Sequence, residues 1–115
     1  MSIAKKLQVR EGQSVRLINP PPSFKLEVPT VESGSKALLL FATNSKSLMS
    51  NGKPVFEAAK QDQLAWIAYP KAGKLETDLN RDRLVELVKP HGIQPVRLVS
   101  LDDTWSAMRF RPLEK

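Results

Sequence analysis

Two long apolar runs dominate the hydropathy pattern of the chain. Residues 37–43 (ALLLFAT) and 64–69 (LAWIAY) are apolar at nearly every position. Such runs are typical of strands that are covered on both faces, as in parallel sheets. Between them, over 45–60, apolar residues recur at helical spacing, with Pro54 inside the pattern. Because proline either kinks a helix or begins one, we expect a helix that is bent or built in two pieces.

Shorter elements are predicted before this unit. Ser2 can cap a short helix that runs through Leu7. Residues 15–19 (VRLIN) form a strand, which the three prolines that follow must end because proline cannot continue a ladder. Residues 24–35 are ambiguous, since their apolar positions suit a short strand while Pro29 and a Ser-Gly-Ser turn favour an edge strand or a loop.

The chain after the second apolar run predicts a helix and a hairpin. The helix is capped by Asp78 or Asn80 and ends at residues 90–92 (PHG). A strand over 96–101, a turn at 102–103 and a return strand over 104–110 follow.

This order of elements predicts the fold class. Strands that alternate with helices imply right-handed crossovers and a parallel sheet, and the hairpin adds one antiparallel strand. An open, doubly wound sheet with such an addition is the architecture of Rossmann-like methyltransferases. The length of 115 residues suits one domain. We therefore predict a single α/β domain over 1–115, a shortened Rossmann-like, methyltransferase-like three-layer sandwich with five or six mostly parallel strands and a C-terminal antiparallel hairpin strand.

The composition excludes several classes of site. No apolar run approaches the roughly 20 residues of a transmembrane helix, so no membrane span is expected. The absence of cysteine excludes disulfides, thiolate zinc sites and cysteine nucleophiles, and it favours a cytoplasmic location. His91 is the single histidine, which excludes a metal site built from several histidines. We predict no metal site.

The net charge of +6 raises the question of nucleic acid. The 18 lysines and arginines are spread along the whole chain, and aromatic residues make up only 6% of it. Few aromatic platforms are therefore available on which bases could stack. The pattern favours an ordinary basic surface, and weak nucleic-acid binding through that surface is kept as an alternative.

The turn after the first strand decides the prediction about cofactors. Nucleotide-binding relatives of this architecture keep glycines there, so that the backbone can approach the ligand. Residues 19–23 (NPPPS) contain no glycine, and their prolines remove amide donors. Neither a Gly-x-Gly-x-x-Gly pattern nor a P-loop occurs anywhere in the chain. We therefore predict no cofactor, and in particular no S-adenosylmethionine or nicotinamide in the usual pose.

Candidate ligand-binding residues lie where the predicted strands end. Ligands of open α/β sheets bind beyond the carboxyl ends of the strands. The candidates at that edge are Asn19, Lys71, Asp78, Asp103 and Trp105. An alternative explanation is structural, because capping and turn formation account for the two aspartates, and Trp105 can serve either as core or as the wall of a pocket. Lys71 and Asp78 could form a surface ion pair.

Three short motifs resemble a family. Residues 66–71 (WIAYPK), 77–79 (TDL) and 102–106 (DDTWS) resemble a small bacterial family that is catalogued as a domain of unknown function. The resemblance extends over nearly the whole chain, but residues 61–63 (QDQ) stand where the family pattern has Pro-Gly-Gly. It implies a Rossmann-like fold and supplies no activity.

Three functional hypotheses remain at this point. The leading one is a non-catalytic module that binds an unknown small molecule or protein partner on a degenerate Rossmann-like scaffold. The first alternative is a small enzyme that acts on an anionic substrate at the carboxyl edge of the sheet. It requires Lys71, Asp78, Asp103 and Trp105 to share one pocket. The second alternative is the weak nucleic-acid binder.

Overall fold

The computed structural model describes residues 3–10, 13–22, 24, 28–31, 37–71 and 77–113. The strands are β1 (Val15–Ile18), β2 (Thr30–Val31), β3 (Ala37–Phe41), β4 (Leu64–Pro70), β5 (Ile93–Ser100) and β6 (Trp105–Pro112). The helices are α1 (Ile3–Lys6), α2 (Ser45–Asn51), α3 (Lys53–Lys60) and α4 (Arg81–Val88), and a 3-10 turn over Lys89–His91 follows α4. The predicted Ser2 cap and most of residues 24–35 lie outside the described ranges.

All six strands form one mixed sheet in the order β2-β1-β3-β4-β6-β5. The first four strands in this order are parallel, and β6 runs antiparallel to both of its neighbours. The α/β class and the antiparallel C-terminal hairpin are therefore confirmed. Within the hairpin, β6 is the inner strand and β5 is the outermost strand of the sheet.

The two apolar runs form the centre of the sheet. Every residue of β3 is buried, and successive side chains enter opposite cores because a strand alternates its faces. Leu38 and Leu40 belong to one core, whereas Leu39 and Phe41 belong to the other. In β4, Trp66 is paired with Leu39 and enters the same core. These strands read as continuous apolar segments because both of their faces are covered.

The two faces of the sheet are covered unequally. The first core contains buried residues of the three longer helices, α2, α3 and α4. The second core is covered by α1 and by apolar residues of the connecting segments, among them Leu7, Phe24 and Val28. The Trp66 Nε1–H group donates to the carbonyl oxygen of Leu7 at 2.9 Å and fixes the chain after α1 to the sheet. In the described part of the chain, α1 is the only helix on this face of the sheet.

The predicted interruption of the first long helix is confirmed. The helical segment is divided into α2 and α3 at Gly52, and Pro54 lies in the first turn of α3, where its missing N–H group has no helical partner to lose. A side chain at Gly52 would lie 2.6 Å from both the Leu48 carbonyl oxygen and the Phe56 ring. Gly52 is therefore required by the close packing of the two helices.

The strand β5 begins at Ile93, three residues before the predicted start. The observed strand includes Pro95, and proline is tolerated where a strand has no partner on one side. The pairing with β6 also shifts register between Pro95 and Arg97, as in a β-bulge. The position of β5 at the edge of the sheet explains the difference.

Two further findings concern the described ranges alone. No helix among them combines the length and apolar character that crossing a bilayer requires. Histidine, aspartate and glutamate side chains nowhere gather there in a group of three or more that could hold a metal ion.

Candidate functional site

The carboxyl rim is defined here as the edge of the sheet at which β1, β3 and β4 end and β6 begins. The chain leaves β1 toward the face that carries Phe24 and leaves β3 toward the face that carries α2. A crevice suited to a ligand is expected where the connections after two neighbouring strands leave on opposite faces of the sheet. Asn19 lies at that point with φ of 56°, and its Nδ2 group donates to the Phe41 carbonyl oxygen at 3.2 Å. The side chain of Asn19 therefore bridges the ends of β1 and β3.

Asp78 lies at the start of α2 and not at the start of α4. Its Oδ1 accepts from the backbone N–H group of Ser45 at 2.8 Å, and its Oδ2 accepts from the Ser45 hydroxyl. These bonds hold the pKa of the Asp78 carboxyl below its usual value, and the bond from the Ser45 hydroxyl has the largest effect. The cap of α4 is Asn80, whose Oδ1 accepts from the Arg83 N–H group. Asp78 thus joins the loop before α4 to the first residue of α2.

Lys71 is held against the C-terminal hairpin. Its backbone N–H group donates to the Thr104 carbonyl oxygen at 2.7 Å, and its ammonium donates to the Ser100 hydroxyl at 2.6 Å. Asp103 is exposed in the adjoining turn. The Lys71–Asp78 ion pair that we considered is replaced by these contacts with Ser100 and by the Asp78–Ser45 contacts.

Trp105 is a core residue. It is only 5% exposed, and its ring meets Phe41 edge to face with centroids 5.0 Å apart. Asp102 Oδ1 accepts from the backbone N–H groups of Thr104 and Trp105, both at 2.8 Å, which fixes the turn that delivers Trp105 to the core. The structure therefore decides between the two roles that the sequence left open for this tryptophan.

The five candidates do lie along one rim, but most are committed to the fold. Lys71, Asp103 and Trp105 meet at the end of the β4–β6 pairing, and Asn19 reaches the same region through Phe41. Asp78 stands further along, at α2. Of the five candidates, only Asp103 is exposed without a hydrogen bond or ion pair to the described part of the chain. The donors and acceptors of Asn19, Lys71 and Asp78, which a ligand would need, are already bonded to neighbouring parts of the chain.

A second region is open, and the sequence did not single it out. A groove of about 440 Å³ runs between α4 and β5. Val85 and Met108 line it together with Pro95, Val96 and Leu98 of β5, and Arg81, Asp82 and Arg97 supply its polar lining. Val96 and Leu98 are each 47% exposed, a large fraction for apolar side chains.

Exposed apolar side chains also occur beyond the groove, at the end of the β5–β6 hairpin. Leu113, which is 41% exposed, and Val96 line a neighbouring cleft of about 220 Å³. Among the described residues, the only other large apolar side chain with comparable exposure is Met49, at 43%. Because β5 is outermost, these side chains flank a strand edge with no partner strand in the sheet. The composition of the two hairpin strands gives no signal for this arrangement, because β5 (IQPVRLVS) is no less apolar than β6 (WSAMRFRP).

Comparisons with family models, with curated proteins and with solved structures found no match to this chain.

Proposed function

We propose that the chain is a non-catalytic binding module that accepts an extended segment of a protein partner along the outer edge of β5. The observation that carries this proposal is the coincidence of an unpaired strand edge with the exposed apolar side chains of Val96 and Leu98. An added strand gains main-chain hydrogen bonds from such an edge and specificity from side-chain grooves beside it. Natural edge strands usually avoid exposing apolar residues, because they invite this pairing.

The second half of β5 is the part that we assign to pairing. Pro95 and the register shift that follows it disturb the ladder in the first half. Residues 97–100 pair regularly with β6, so their free edge is regular as well. Leu98 projects on the side of α4, where the groove can receive alternate side chains of the added strand.

Charge favours an acidic partner over a second copy of this chain. Arg81 borders the groove on the α4 side, where the one acid, Asp82, lies 3.8 Å from it, and Arg97 projects from the opposite face of β5. The whole chain carries a net charge of +6, so two copies repel each other. Pairing β5 with β5 of a second copy would also gather the two Arg97 side chains at one interface. The proposed occupant is therefore an extended segment in which apolar residues alternate with glutamate or aspartate.

We extend the proposal to the scaffold, which we interpret as a shortened Rossmann-like domain of the methyltransferase type. Support comes from the connections that leave β1 and β3 on opposite faces and from β6, inserted antiparallel between β4 and β5. Membership in the bacterial family of unknown function and a cytoplasmic location remain parts of this proposal. The Asn19 bridge and the proline-rich turn support a site without a nucleotide cofactor.

The contacts at the carboxyl rim weigh against the enzymatic alternative. That alternative needs Lys71, Asp78, Asp103 and Trp105 in one pocket, whereas Asp78 is bonded to Ser45 at the start of α2 and Trp105 is core. Measured turnover that depends on Lys71 or Asp103 would restore it.

Selection of random nine-residue peptides displayed on phage tests the proposal. The wild-type chain serves as bait, and the enriched peptides are then tested for binding to the Leu98→Glu variant. We expect the enriched peptides to alternate apolar and acidic residues. Added to ¹⁵N-labelled protein, such a peptide should protect the outward backbone amides within residues 97–100 from hydrogen exchange.

Met49→Glu is the matched control, since it places the same charge at an exposed apolar position away from β5. It should leave peptide binding intact, whereas Leu98→Glu should abolish it. Peptides that bind both variants equally would overturn the proposal. A dimer seen by sedimentation that Leu98→Glu dissociates would replace the partner with a second copy of the chain.

A further inference from the structure

A polar cleft lies on the face of the sheet that carries α1, away from the three longer helices. Its volume is about 490 Å³, within the range of small-molecule sites. Its described lining consists of Gln8, Arg10, Gln13, Leu64 and Arg109. Two guanidinium groups and two amides thus border a cleft whose described lining contains no carboxylate.

Arg109 is the side chain around which the cleft is built. It is paired with Trp66 across β4 and β6, which places both side chains on the same face of the sheet. Its Nη1 donates to Gln8 Oε1 at 2.7 Å, while its Nε is buried and has no hydrogen-bond partner. A buried donor without a partner carries a desolvation cost that a bound acceptor would remove.

Positive charge accumulates around Arg109. Arg97 lies directly opposite it on β5, and Arg111 lies two residues further on β6 and therefore on the same face. Like charges in these positions destabilise a sheet. Burial, followed by the charge of Arg111, lowers the pKa of the Arg109 guanidinium below its usual value.

Among the described residues, the carboxylate whose charge acts on Arg109 is that of Asp62, and it is already engaged. Asp62 binds Arg111 through both of its oxygens, with Nε to Oδ1 at 2.7 Å and Nη2 to Oδ2 at 2.9 Å. Through this bidentate contact Asp62 neutralises mainly the charge of Arg111, although it also interacts electrostatically with Arg109. The cleft retains positive charge from Arg109 and Arg10.

Local backbone structure holds the remaining groups at the cleft. Gln8 has φ of 63°, a conformation that costs energy for a residue with a side chain. In this conformation its side-chain amide oxygen accepts from Arg109. Gln13 Oε1 accepts from the Arg10 N–H group at 3.1 Å, and the Gln13 N–H group donates to the Arg10 carbonyl at 3.0 Å. This reciprocal turn keeps Arg10 beside the cleft.

We propose that this cleft binds a small molecule that carries a phosphate group, through Arg109 and Arg10. A phosphate offers more acceptor oxygens than a carboxylate and up to two negative charges, which suits two guanidinium groups and an amide rim. The volume leaves space for an organic part beside the phosphate. A small ligand fits better than a nucleic-acid chain, because the arginines border one bounded cleft and do not follow a long track. The site is separate from the groove beside β5 and does not depend on the partner proposed there.

An NMR titration of the full chain with inorganic phosphate tests this site. The parallel arms use ribose 5-phosphate, a ten-nucleotide single strand of DNA, and sodium chloride at matched ionic strength. We expect saturable shifts of the Gln8, Gln13 and Arg109 amides with phosphate, and tighter binding of ribose 5-phosphate. The variant Arg10→Gln should weaken both by about tenfold or more, since a charge-assisted contact is lost.

Arg83→Gln is the matched control, because it removes the same charge from an exposed position of α4. It should leave the phosphate titration unchanged. Arg109→Lys keeps the charge but loses the planar fork, so binding should fall while the spectrum stays that of a folded chain. Equal phosphate binding by wild type and Arg10→Gln overturns the proposal. Equal shifts with sodium chloride, or binding of the oligonucleotide alone, do so as well.

Discussion

The side chains at two edges of the sheet differ in whether they have partners within the chain. At the carboxyl rim, Asn19 and Asp78 bond to neighbouring segments, and Trp105 is buried. At the outer edge of β5, Val96 and Leu98 remain nearly half exposed although they are apolar. Asn19 and Asp78 at the rim are thus accounted for by hydrogen bonds to other segments of the chain, whereas the exposed apolar side chains of β5 are not covered by any described part of the chain. The comparison directs the search for a partner to β5 and away from the rim.

The largest expected effect comes from truncating one apolar side chain at each edge. Trp105→Ala should lower the free energy of unfolding by about 3–5 kcal/mol, because it empties a buried site beside Phe41. Leu98→Ala should lower it by only about 1 kcal/mol, since nearly half of the side chain is already in solvent. Urea unfolding followed by circular dichroism measures both. A loss at Leu98 as large as that at Trp105 would show that the outer edge is structural and would end the comparison.

A smaller loss is expected from crowding the helix that supports the rim. Gly52→Ala places a Cβ atom 2.6 Å from the Leu48 carbonyl and from the Phe56 ring, and we expect a loss of about 1–3 kcal/mol. Ser50→Ala, at an exposed position of α2, is the control and should be neutral or slightly stabilising. The measurement is again urea unfolding. If Gly52→Ala is stable, the junction of α2 and α3 is looser than described.

Two substitutions of Asn19 distinguish the effect of its hydrogen bond to Phe41 from the effect of its backbone conformation. Asn19→Ala loses the bond to Phe41 and places alanine at φ of 56°, so that strain of about 1–2 kcal/mol is added to a lost hydrogen bond of about 0.5–1.5 kcal/mol. Asn19→Gly loses the bond alone and relieves the strain, although a more flexible unfolded chain offsets part of that gain. We therefore expect the alanine variant to be the less stable in thermal unfolding. Equal losses would mean that strain at this position is unimportant.

The strands and helices were predictable because their signals are local. The apolar runs of β3 and β4 and the Pro54 restart can be interpreted without knowing any distant contact. Which strand of the hairpin is outermost depends on β6 pairing with β4, a contact between segments far apart in sequence.

The rim could be located from the sequence, but the contacts within it could not. The carboxyl ends of the strands share an edge in any parallel sheet, so the five candidates were expected together. The partners of Asp78 and Asn19 are Ser45 and Phe41, 33 and 22 residues away, and a side chain at a strand end has several neighbours to choose from. The same limit applies to Arg109, whose partner Gln8 is 101 residues distant.

The smallest effect that we predict tests whether Asp78 serves the fold. Its pKa in the folded chain lies below the value of 3.8 that is usual for an unfolded aspartate. Its contribution to stability is therefore fully present at neutral pH and is lost as the pH falls below about 4, through the folded pKa. Asp78→Asn should be less stable than wild type at pH 7, and the difference should shrink toward pH 3 in urea unfolding measured at both values. Asp103→Asn is the matched control at the same rim and should be as stable as wild type at pH 7, because its carboxylate is exposed in the turn. A pH-independent difference for Asp78→Asn would mean that the charge on Asp78 does not stabilise α2, and Asp78 would again be available to a ligand.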